Sequence, residues 1–196
     1  CELDNAVHAI DVATRTAVAR IPAGEFSNGL AMHPRGHELY VSNGRGGSVS
    51  VVDLRKLEVV ATIPVGRRPW NMALTPDGAT LIVAESTGGR LTAYTVAPDG
   101  TLSGRRVFAD GLDGPPDGIC LDDGGGVWTA MTLAHQFERV GADGTVTDRI
   151  DIGDRIAIAC ALGGPEGRTL FLLSSTSAYP ESLRGTRDSR LDATTL

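Results

Sequence analysis

The feature that most constrains the fold is a repeat with a period of a little over forty residues. Each copy has a short apolar run, a tight turn that contains glycine, and a second apolar run. The turns are Pro34-Arg-Gly36, Pro76-Asp-Gly78, Asp122-Asp-Gly124 and Pro165-Glu-Gly167, and their glycines are separated by 42, 46 and 43 residues. A single helix or one open sheet does not produce such a period, so the chain is expected to be an array of similar units.

A repeat of roughly 40–50 residues built from short strands is typical of a β-propeller, in which each blade is a four-stranded antiparallel sheet. Alternating apolar patterns predict about seventeen strands, and helix is nearly absent. We predict an all-β propeller with about 4–5 blades, as a partial or atypical form of a six-bladed ring. We expect one domain over residues 1–196, with blade units at about 1–23 (partial), 24–66, 67–111, 112–153 and 154–196 (partial).

Composition and charge exclude two classes of partner. The formal charge is −6, and Lys and Arg do not gather into a stripe, so nucleic-acid binding is not expected. The longest wholly apolar run, Ile156–Leu162, is much shorter than the ~20 residues of a membrane-spanning helix. We predict a soluble protein whose compartment and oligomeric state the sequence leaves open, with the cytoplasm favoured over export. Cys120 and Cys160 lie in apolar runs and are expected to be buried.

Two families resemble different parts of the chain. Over about Ala6–Gly66, the segments Glu38–Asn43, Ser48–Asp53 and Val59–Gly66 resemble the YVTN repeats of bacterial surface propellers. From about Pro69 to Thr194 the resemblance is to regucalcin and the gluconolactonases, and it is carried by Leu74–Ser86, Gly89–Tyr94, Pro116–Asp122, Val127–Ala130 and Ala161–Pro165.

The second resemblance implies a six-bladed propeller that holds one divalent cation and hydrolyses sugar lactones or related cyclic esters. Ca²⁺ is the expected cation, with Zn²⁺ and Mn²⁺ as alternatives. The resemblance implies Asp117, Asn28 and Asn71 as metal ligands, and Asp117 also as the catalytic residue that takes a proton from the attacking water. From the residues alone, Asp117 has a second interpretation, in which it only begins a Pro-Asp-Gly turn and bonds its own backbone.

The sequence departs from the family pattern at two places. Aligned on the proline of the turn, Trp70 occupies the position of the family's second Asn, and Asn71 comes one residue late. Because one step along a strand reverses the side chain, Asn71 serves as a ligand only if a local bulge turns it. The family's first-blade Glu has no counterpart. Trp70 and His135 are predicted contacts of a small-molecule lactone in the substrate pocket.

Two functions from different classes therefore remain open. One is a metal-dependent lactone hydrolase, and the other is a non-catalytic propeller that binds or scaffolds in the manner of YVTN proteins, or an incomplete propeller fragment. The glycine-rich segment Asn43–Gly47 lies between two strands rather than before a helix, so it is interpreted as a turn and not as a phosphate-binding loop.

Overall fold

The structure is a computed structural model that describes residues 2–196, and almost all of its regular structure is β. The predicted all-β propeller class is confirmed. The described chain forms seventeen strands, the first ten being β1 (Ala6–Asp11), β2 (Thr16–Pro22), β3 (Ser27–Met32), β4 (Glu38–Asn43), β5 (Ser48–Asp53), β6 (Glu58–Pro64), β7 (Pro69–Leu74), β8 (Thr80–Glu85), β9 (Arg90–Val96) and β10 (Leu102–Ala109). The others are β11 (Pro116–Leu121), β12 (Val127–Met131), β13 (Gln136–Val140), β14 (Val146–Asp151), β15 (Ile156–Gly163), β16 (Thr169–Ser175) and β17 (Arg190–Thr195).

The strands form sheets in which each strand pairs with the next one in the chain. Three sheets have four strands, in the orders β3-β4-β5-β6, β10-β9-β8-β7 and β11-β12-β13-β14. A fourth sheet has the three strands β15-β16-β17, and β1 pairs with β2 alone. These antiparallel sheets are the blades of the propeller. We call the end of a sheet at which its first strand begins the leading end; the loop between the second and third strands lies at that end too.

The turns between first and second strands form because their side chains bond the local backbone. In the Pro76-Asp-Gly78 turn, the carboxylate of Asp77 accepts hydrogen bonds from the Thr75 hydroxyl at 2.6 Å and the Ala79 N–H at 2.9 Å. Gly78 follows with φ of 73°, a left-handed conformation that costs glycine little. This chemistry repeats with the period of the sequence and ends the first strand of each sheet at a defined residue.

Two strands begin earlier than their apolar residues indicate. β7 begins at Pro69 and contains a bulge that interrupts its alternating pattern. β10 begins at Leu102, and its mostly exposed residues before Phe108 still belong to the strand beside β9. The connection before β17 contains a four-residue helix, α1 (Pro180–Leu183). Within residues 2–196, no helix has the length and hydropathy of a membrane span.

By its internal contacts the chain divides into two compact units. The first unit extends to Gly88 and includes Thr92–Arg106, and the second comprises Gly89–Leu91 and Val107–Leu196. In the first unit the main apolar core consists of Ala31, Tyr40, Val49, Val51, Met72, Leu81, Val83, Tyr94 and Val96. In the second unit the core consists of Trp128, Ala130, Phe137, Ala157, Cys160, Leu170 and Leu172. Each unit thus has its own apolar centre beside the first strands that carry the candidate site residues.

Candidate functional site

The first strands of the four larger sheets share one irregularity near their leading ends. In β3, β7 and β11, a stretch of three residues along the strand pairs with a stretch of only two on its neighbour, and in β15 two pair with one. Each first strand therefore has one extra residue there, which is the geometry of a β-bulge. The bulges enclose Asn28-Gly29, Trp70-Asn71, Asp117-Gly118 and Ile158. A bulge re-aims side chains that would otherwise alternate, so the predicted metal ligands lie at the three places where the backbone turns them.

In the first unit, the bulges of β3 and β7 lie against each other. A Cβ atom added to Gly29 would lie 2.5 Å from the carbonyl oxygen of Trp70 and 2.9 Å from the Cα of Asn71, so only glycine fits there. The hydroxyl of Ser42, in β4, accepts a hydrogen bond from the Gly29 N–H at 2.8 Å and donates one to the Trp70 carbonyl at 2.8 Å. This hydroxyl therefore joins the backbones of both bulges.

Asn28 and Asn71 occupy different positions within their bulges. Asn28 is the first bulged residue and lines a cavity of about 160 Å³ together with Val7, His8, Ser27 and Leu30. Asn71 is the second residue, in the place that Gly29 holds in β3. Its amide oxygen accepts a hydrogen bond from the N–H of Met72 at 2.7 Å. Asn71 thus bonds its own backbone, whereas Trp70 takes the position equivalent to Asn28.

Trp70 belongs to a group of aromatic and cationic side chains at the same end of the first unit. Its ring centroid lies 5.8 Å from that of Phe26, and the guanidinium of Arg68 lies 4.7 Å from the Trp70 centroid. Arg45, in the β4–β5 loop, stacks over Phe26 at 4.6 Å. The sequence analysis identified Trp70 but missed Phe26, Arg45 and Arg68, because a stacking arrangement between separate loops leaves no spacing pattern.

In the second unit, Asp117 is the first bulged residue of β11. It is half-buried, and its Oδ2 accepts a hydrogen bond from the Thr132 hydroxyl at 3.4 Å. A Cβ atom on the next residue, Gly118, would lie 2.5 Å from the Cα of Ala159, so β11 and β15 approach as closely as β3 and β7 do. In this Asp-Gly pair, Asp117 therefore supplies the carboxylate of the bulge, and Gly118 allows β15 to approach closely.

Two cysteines lie beside this bulge. The Sγ atoms of Cys120 and Cys160 are 3.6 Å apart, and the Cys160 thiol donates to the Trp128 carbonyl at 3.3 Å. The hydrogen bond with Cys120 and burial raise the pKa of the Cys160 thiol, and the negative charge of Asp117 adds to the rise. Cys160 is buried as expected, and Cys120 is half-buried; both thiols are free. The Cys160 Sγ also lies 3.6 Å from the Gly118 carbonyl oxygen, so the thiol pair borders the bulge that carries Asp117.

His135 lies in the β12–β13 loop, which is at the leading end of its sheet. Its Nδ1 is 2.7 Å from the carbonyl oxygen of Arg155, so Nδ1 carries a proton and donates it to that oxygen. The ring is exposed, and the residue has φ of 57°. The structure therefore places His135 at the same end of the second unit as Asp117, with its Nε2 not used by that hydrogen bond.

A carboxyl pair at the same end was missed by the sequence analysis. Glu138 is fully buried, and its Oε1 accepts hydrogen bonds from Gln136 at 2.8 Å and from Arg149 at 3.3 Å. Burial, followed by the hydrogen bond with Asp113, raises the pKa of Glu138, and the same hydrogen bond lowers the pKa of Asp113. Gln136 and Arg149 also donate to Asp113, at 3.1 and 3.2 Å, so the same two side chains hold both carboxyl groups together. Asp113 comes from the segment before β11, so no spacing in the sequence links it to Glu138.

The donors found at these bulges are hard oxygen atoms. In the second unit Asp117 supplies a carboxylate and Thr132 a hydroxyl, and in the first unit Asn28 and Asn71 carry amide oxygens. Oxygen donors of these kinds suit Ca²⁺ better than they suit a thiophilic or imidazole-preferring metal. Among residues 2–196, no three His, Cys, Asp or Glu side chains gather into a group that would hold a metal by themselves. In each unit taken by itself, the donor chemistry is therefore of the kind that Ca²⁺ prefers.

Three curated relatives match short segments of the chain. A 6-deoxy-6-sulfogluconolactonase of Pseudomonas putida is 38% identical over 76 residues, which are 39% of this chain and 26% of that protein. A pentonolactonase of Haloferax volcanii is 30% identical over 89 residues, covering 43% and 31% of the two chains. An L-arabinolactonase of Azospirillum brasilense is 38% identical over 80 residues, covering 40% and 26%. The matched segment therefore spans less than a third of the length of each relative.

Solved structures share the fold over most of the chain. A calcium-binding protein, regucalcin, from Agrobacterium tumefaciens str. C58 superposes with a TM-score of 0.72 at 21% identity, covering 98% of this chain and 70% of that one. Hydrazine synthase of Kuenenia stuttgartiensis gives a TM-score of 0.71 at 20% identity, covering 89% and 51%. At this level of identity the two matches establish the propeller fold alone.

A family model supports the second of the two resemblances, which concerns the chain from about Pro69 onward. The model of the SMP-30/Gluconolactonase/LRE-like region matches residues 69–176, which are more than half of the chain and include the bulges of β7, β11 and β15. The YVTN resemblance of the segment before residue 69 stays a prediction. The chain belongs to the SMP-30/gluconolactonase/LRE-like family.

Proposed function

We propose that this chain carries the acid–base residue of a lactone hydrolase, and that Asp117 is that residue. The observation that supports the proposal most directly is the half-buried Asp117 carboxylate at the β11 bulge, within the segment matched by the family model. The curated relatives that match this chain are named as lactonases, and all act on sugar-derived lactones by name. We propose the same substrate class for this chain.

The proposed reaction is the addition of water to the lactone carbonyl, followed by cleavage of the ring C–O bond to give a hydroxy acid. Asp117 accepts a proton from the attacking water and returns it to the ring oxygen as the C–O bond breaks, and the Thr132 hydroxyl bonds the carboxylate at Oδ2. Because a half-buried carboxylate on a β-bulge needs little reorganisation, the base is in place before the substrate binds. His135 is proposed to contact the substrate through the Nε2 edge of its ring.

The proposed cofactor is a divalent cation, Ca²⁺ first, held by Asp117 in the second unit. Asn28 and Asn71 are proposed oxygen donors of the first unit, and Asn71 first has to release its bond to Met72. When bound, the cation would supply Lewis-acid polarisation of the lactone carbonyl. The structural relative named as calcium-binding supports this choice of cation.

The test measures hydrolysis of a panel of γ- and δ-lactones by the chain, with Ca²⁺ and with EDTA. Asp117→Asn is expected to lower turnover by at least ~100-fold, because it removes the base and the carboxylate together. Asp123→Asn, in the exposed turn at the other end of the same sheet, makes the same charge change and is the matched control. Equal turnover in wild type and Asp117→Asn, or a lack of any hydrolysis across the panel, would remove the proposal.

A second function is favoured by one specific observation. Trp70 holds the position that Asn28 and Asp117 hold in their sheets, and the neighbouring Asn71 bonds its own backbone. A non-catalytic binding module of the same fold accounts for the loss of a donor there. Ligand binding without lactone turnover, in a chain that melts cooperatively, would favour this second function.

A further inference from the structure

The group formed by Phe26, Trp70, Arg45 and Arg68 lies at the leading end of the first unit, and we call it the arginine–aromatic cluster. Arg45 stacks on Phe26 at 4.6 Å, and Arg68 lies 4.7 Å from the Trp70 centroid and 5.9 Å from that of Phe26. The two rings contact each other at an angle of 42°. Side chains from three separate segments therefore converge on one small patch.

The charges of this cluster are not balanced within the protein. Among the described residues, neither the Arg45 nor the Arg68 guanidinium forms an ion pair with a carboxylate. By contrast, other arginines of the first unit, such as Arg20 and Arg105, are paired with Asp4 and Glu85. Two cations on one pair of rings, neither in an ion pair with any described residue, leave positive charge at this patch of a chain whose net charge is −6.

The backbone is strained at two members of the cluster. Phe26 has φ of 60° and Arg68 has φ of 51°, a left-handed conformation that costs a residue with a side chain about 1 kcal/mol or more. The surroundings hold that conformation: the Phe26 N–H donates to the Asn5 side chain at 2.8 Å, and its carbonyl accepts from Gly44 at 2.9 Å. The backbone that carries Phe26 is thus held by hydrogen bonds at both its N–H and its carbonyl group.

We propose that the arginine–aromatic cluster is a binding site for the oxyanion of a small organic acid. A guanidinium that lies flat on an aromatic ring keeps its N–H edge available, and that edge matches a carboxylate, phosphate or sulfonate in bidentate fashion. Stacking also fixes the side chains, so less rotamer entropy is lost on binding. The ligand class is a sugar acid, and this choice of carbon framework rests on the proposed function, whose product is a hydroxy acid.

The experiment uses Trp70 as its own reporter. The chain has two tryptophans, so Trp128→Phe leaves Trp70 as the single tryptophan. Because Trp128 is 3% exposed and belongs to the core of the second unit, thermal melting first establishes that this background is folded. This background is titrated with D-gluconate and with D-gluconate 6-phosphate, and D-glucose is the uncharged control. Trp70 fluorescence and calorimetry report binding, so no turnover is required.

The expected result is saturable binding of the acids, tighter for the phosphate, and no change with glucose. Arg45→Gln and Arg68→Asn are each expected to weaken binding of the acids ~10-fold, because each removes one charge-assisted contact. Asparagine is chosen at Arg68 because it tolerates the left-handed backbone. Arg35→Gln, in the turn at the other end of the same sheet, makes the same charge change and should leave the affinity unaltered.

Three results would overturn the proposal: equal responses to glucose and to the acids, a loss of affinity in Arg35→Gln as large as in Arg45→Gln, or unchanged affinity in the Arg45→Gln, Arg68→Asn double variant. Thermal melting of each variant shows that a loss is not due to unfolding. Because the readout is binding alone, an absence of lactone hydrolysis would count against the proposed function and not against this site.

Discussion

At the scale of single residues, the chain contains side chains whose chemistry depends on complete burial. Tyr40 is 0% exposed, and its hydroxyl donates to the carbonyl oxygen of Gly100 at 3.1 Å. Burial, followed by the negative charge of Glu38, raises its pKa from 10.0 to about 12. The same hydrogen bond ties β4 to the Pro98-Asp-Gly100 turn, so this residue contributes to the core of the first unit in two ways.

The first prediction concerns stability at high pH. The folded state keeps the Tyr40 proton up to about pH 12, whereas the unfolded state loses it near pH 10, so the folded state binds more protons between these values. The stabilisation from Tyr40 is fully present below pH 10 and is lost as the pH rises toward 12. Urea unfolding at pH 8 to 11 should therefore show a smaller alkaline loss of stability in Tyr40→Phe than in the wild type.

Tyr40→Phe should also cost about 1 kcal/mol at neutral pH, because the Gly100 carbonyl loses its partner. If the two proteins lose stability in parallel as the pH rises, Tyr40 is not a source of the alkaline transition, and the burial argument for this residue fails.

The second prediction concerns the close approach of the two bulges in the first unit. Gly29→Ala would place a Cβ 2.5 Å from a backbone oxygen, which cannot move as a side chain can, so the free energy of unfolding should fall by about 2 kcal/mol. Gly46→Ala is the matched control, because its nearest neighbour would be at an ordinary 3.5 Å, and it should change stability by less than ~0.5 kcal/mol. Equal stabilities of the two variants in urea would contradict the structure at Gly29.

At the scale of elements, the bulge is the feature that the sequence predicted only in part. The turn glycines and alternating patterns correctly predicted most strands, because turns and periodicity are local properties. The sequence also indicated that Asn71 serves as a ligand only if a bulge turns it, and β7 has a bulge at Trp70-Asn71. The bulge itself is a relation between two strands, so no single-strand pattern revealed that β3, β7 and β11 share it.

Features built from side chains of separate loops could not be predicted from the sequence at all. The carboxyl pair of Asp113 and Glu138 and the arginine–aromatic cluster each join segments that have no characteristic spacing. The glycine-rich segment Asn43–Gly47 was correctly interpreted as a turn, but its Arg45 was not singled out. Residue types and local periods are visible in a sequence, whereas stacking and hydrogen bonds between distant segments depend on tertiary distances.

The third prediction restores the family pattern in β7. In Trp70→Asn, Asn71→Gly the bulge has the same Asn-Gly pair as Asn28-Gly29, with an amide oxygen at the first bulged position and no side chain bonded to Met72. The double variant is expected to bind Ca²⁺ more tightly than the wild type in calorimetry, because a hard cation gains affinity with each added oxygen donor. Trp70→Phe adds no donor and is the control.

An unchanged Ca²⁺ affinity in the double variant would show that the β7 bulge takes no part in metal binding. In that case Asn71 and the Trp70 position would be structural features of the first unit, and the second, non-catalytic function would gain support.

At the scale of the whole molecule, the repeat explains why one sequence motif produces several candidate ligands. Each copy ends its first strand at a Gly turn and begins it with a bulge, so a polar residue at the bulge is presented at the leading end of its sheet. Asp117 lies within residues 69–176, the region that matches the family model. The curated lactonases that match this chain extend well beyond the segment that they share with it. The activity of this chain by itself is therefore the decisive question.

The most direct test of the central claim is a calorimetric titration of chelator-treated protein with Ca²⁺, comparing the wild type with Asp117→Asn and Asp123→Asn. The account predicts one Ca²⁺ site in the wild type and in Asp123→Asn, and its loss in Asp117→Asn, because Asp117 is the only carboxylate of the proposed donor set. Binding that is absent from the wild type, or that persists unchanged in Asp117→Asn, would contradict the claim that the β11 bulge presents a metal ligand.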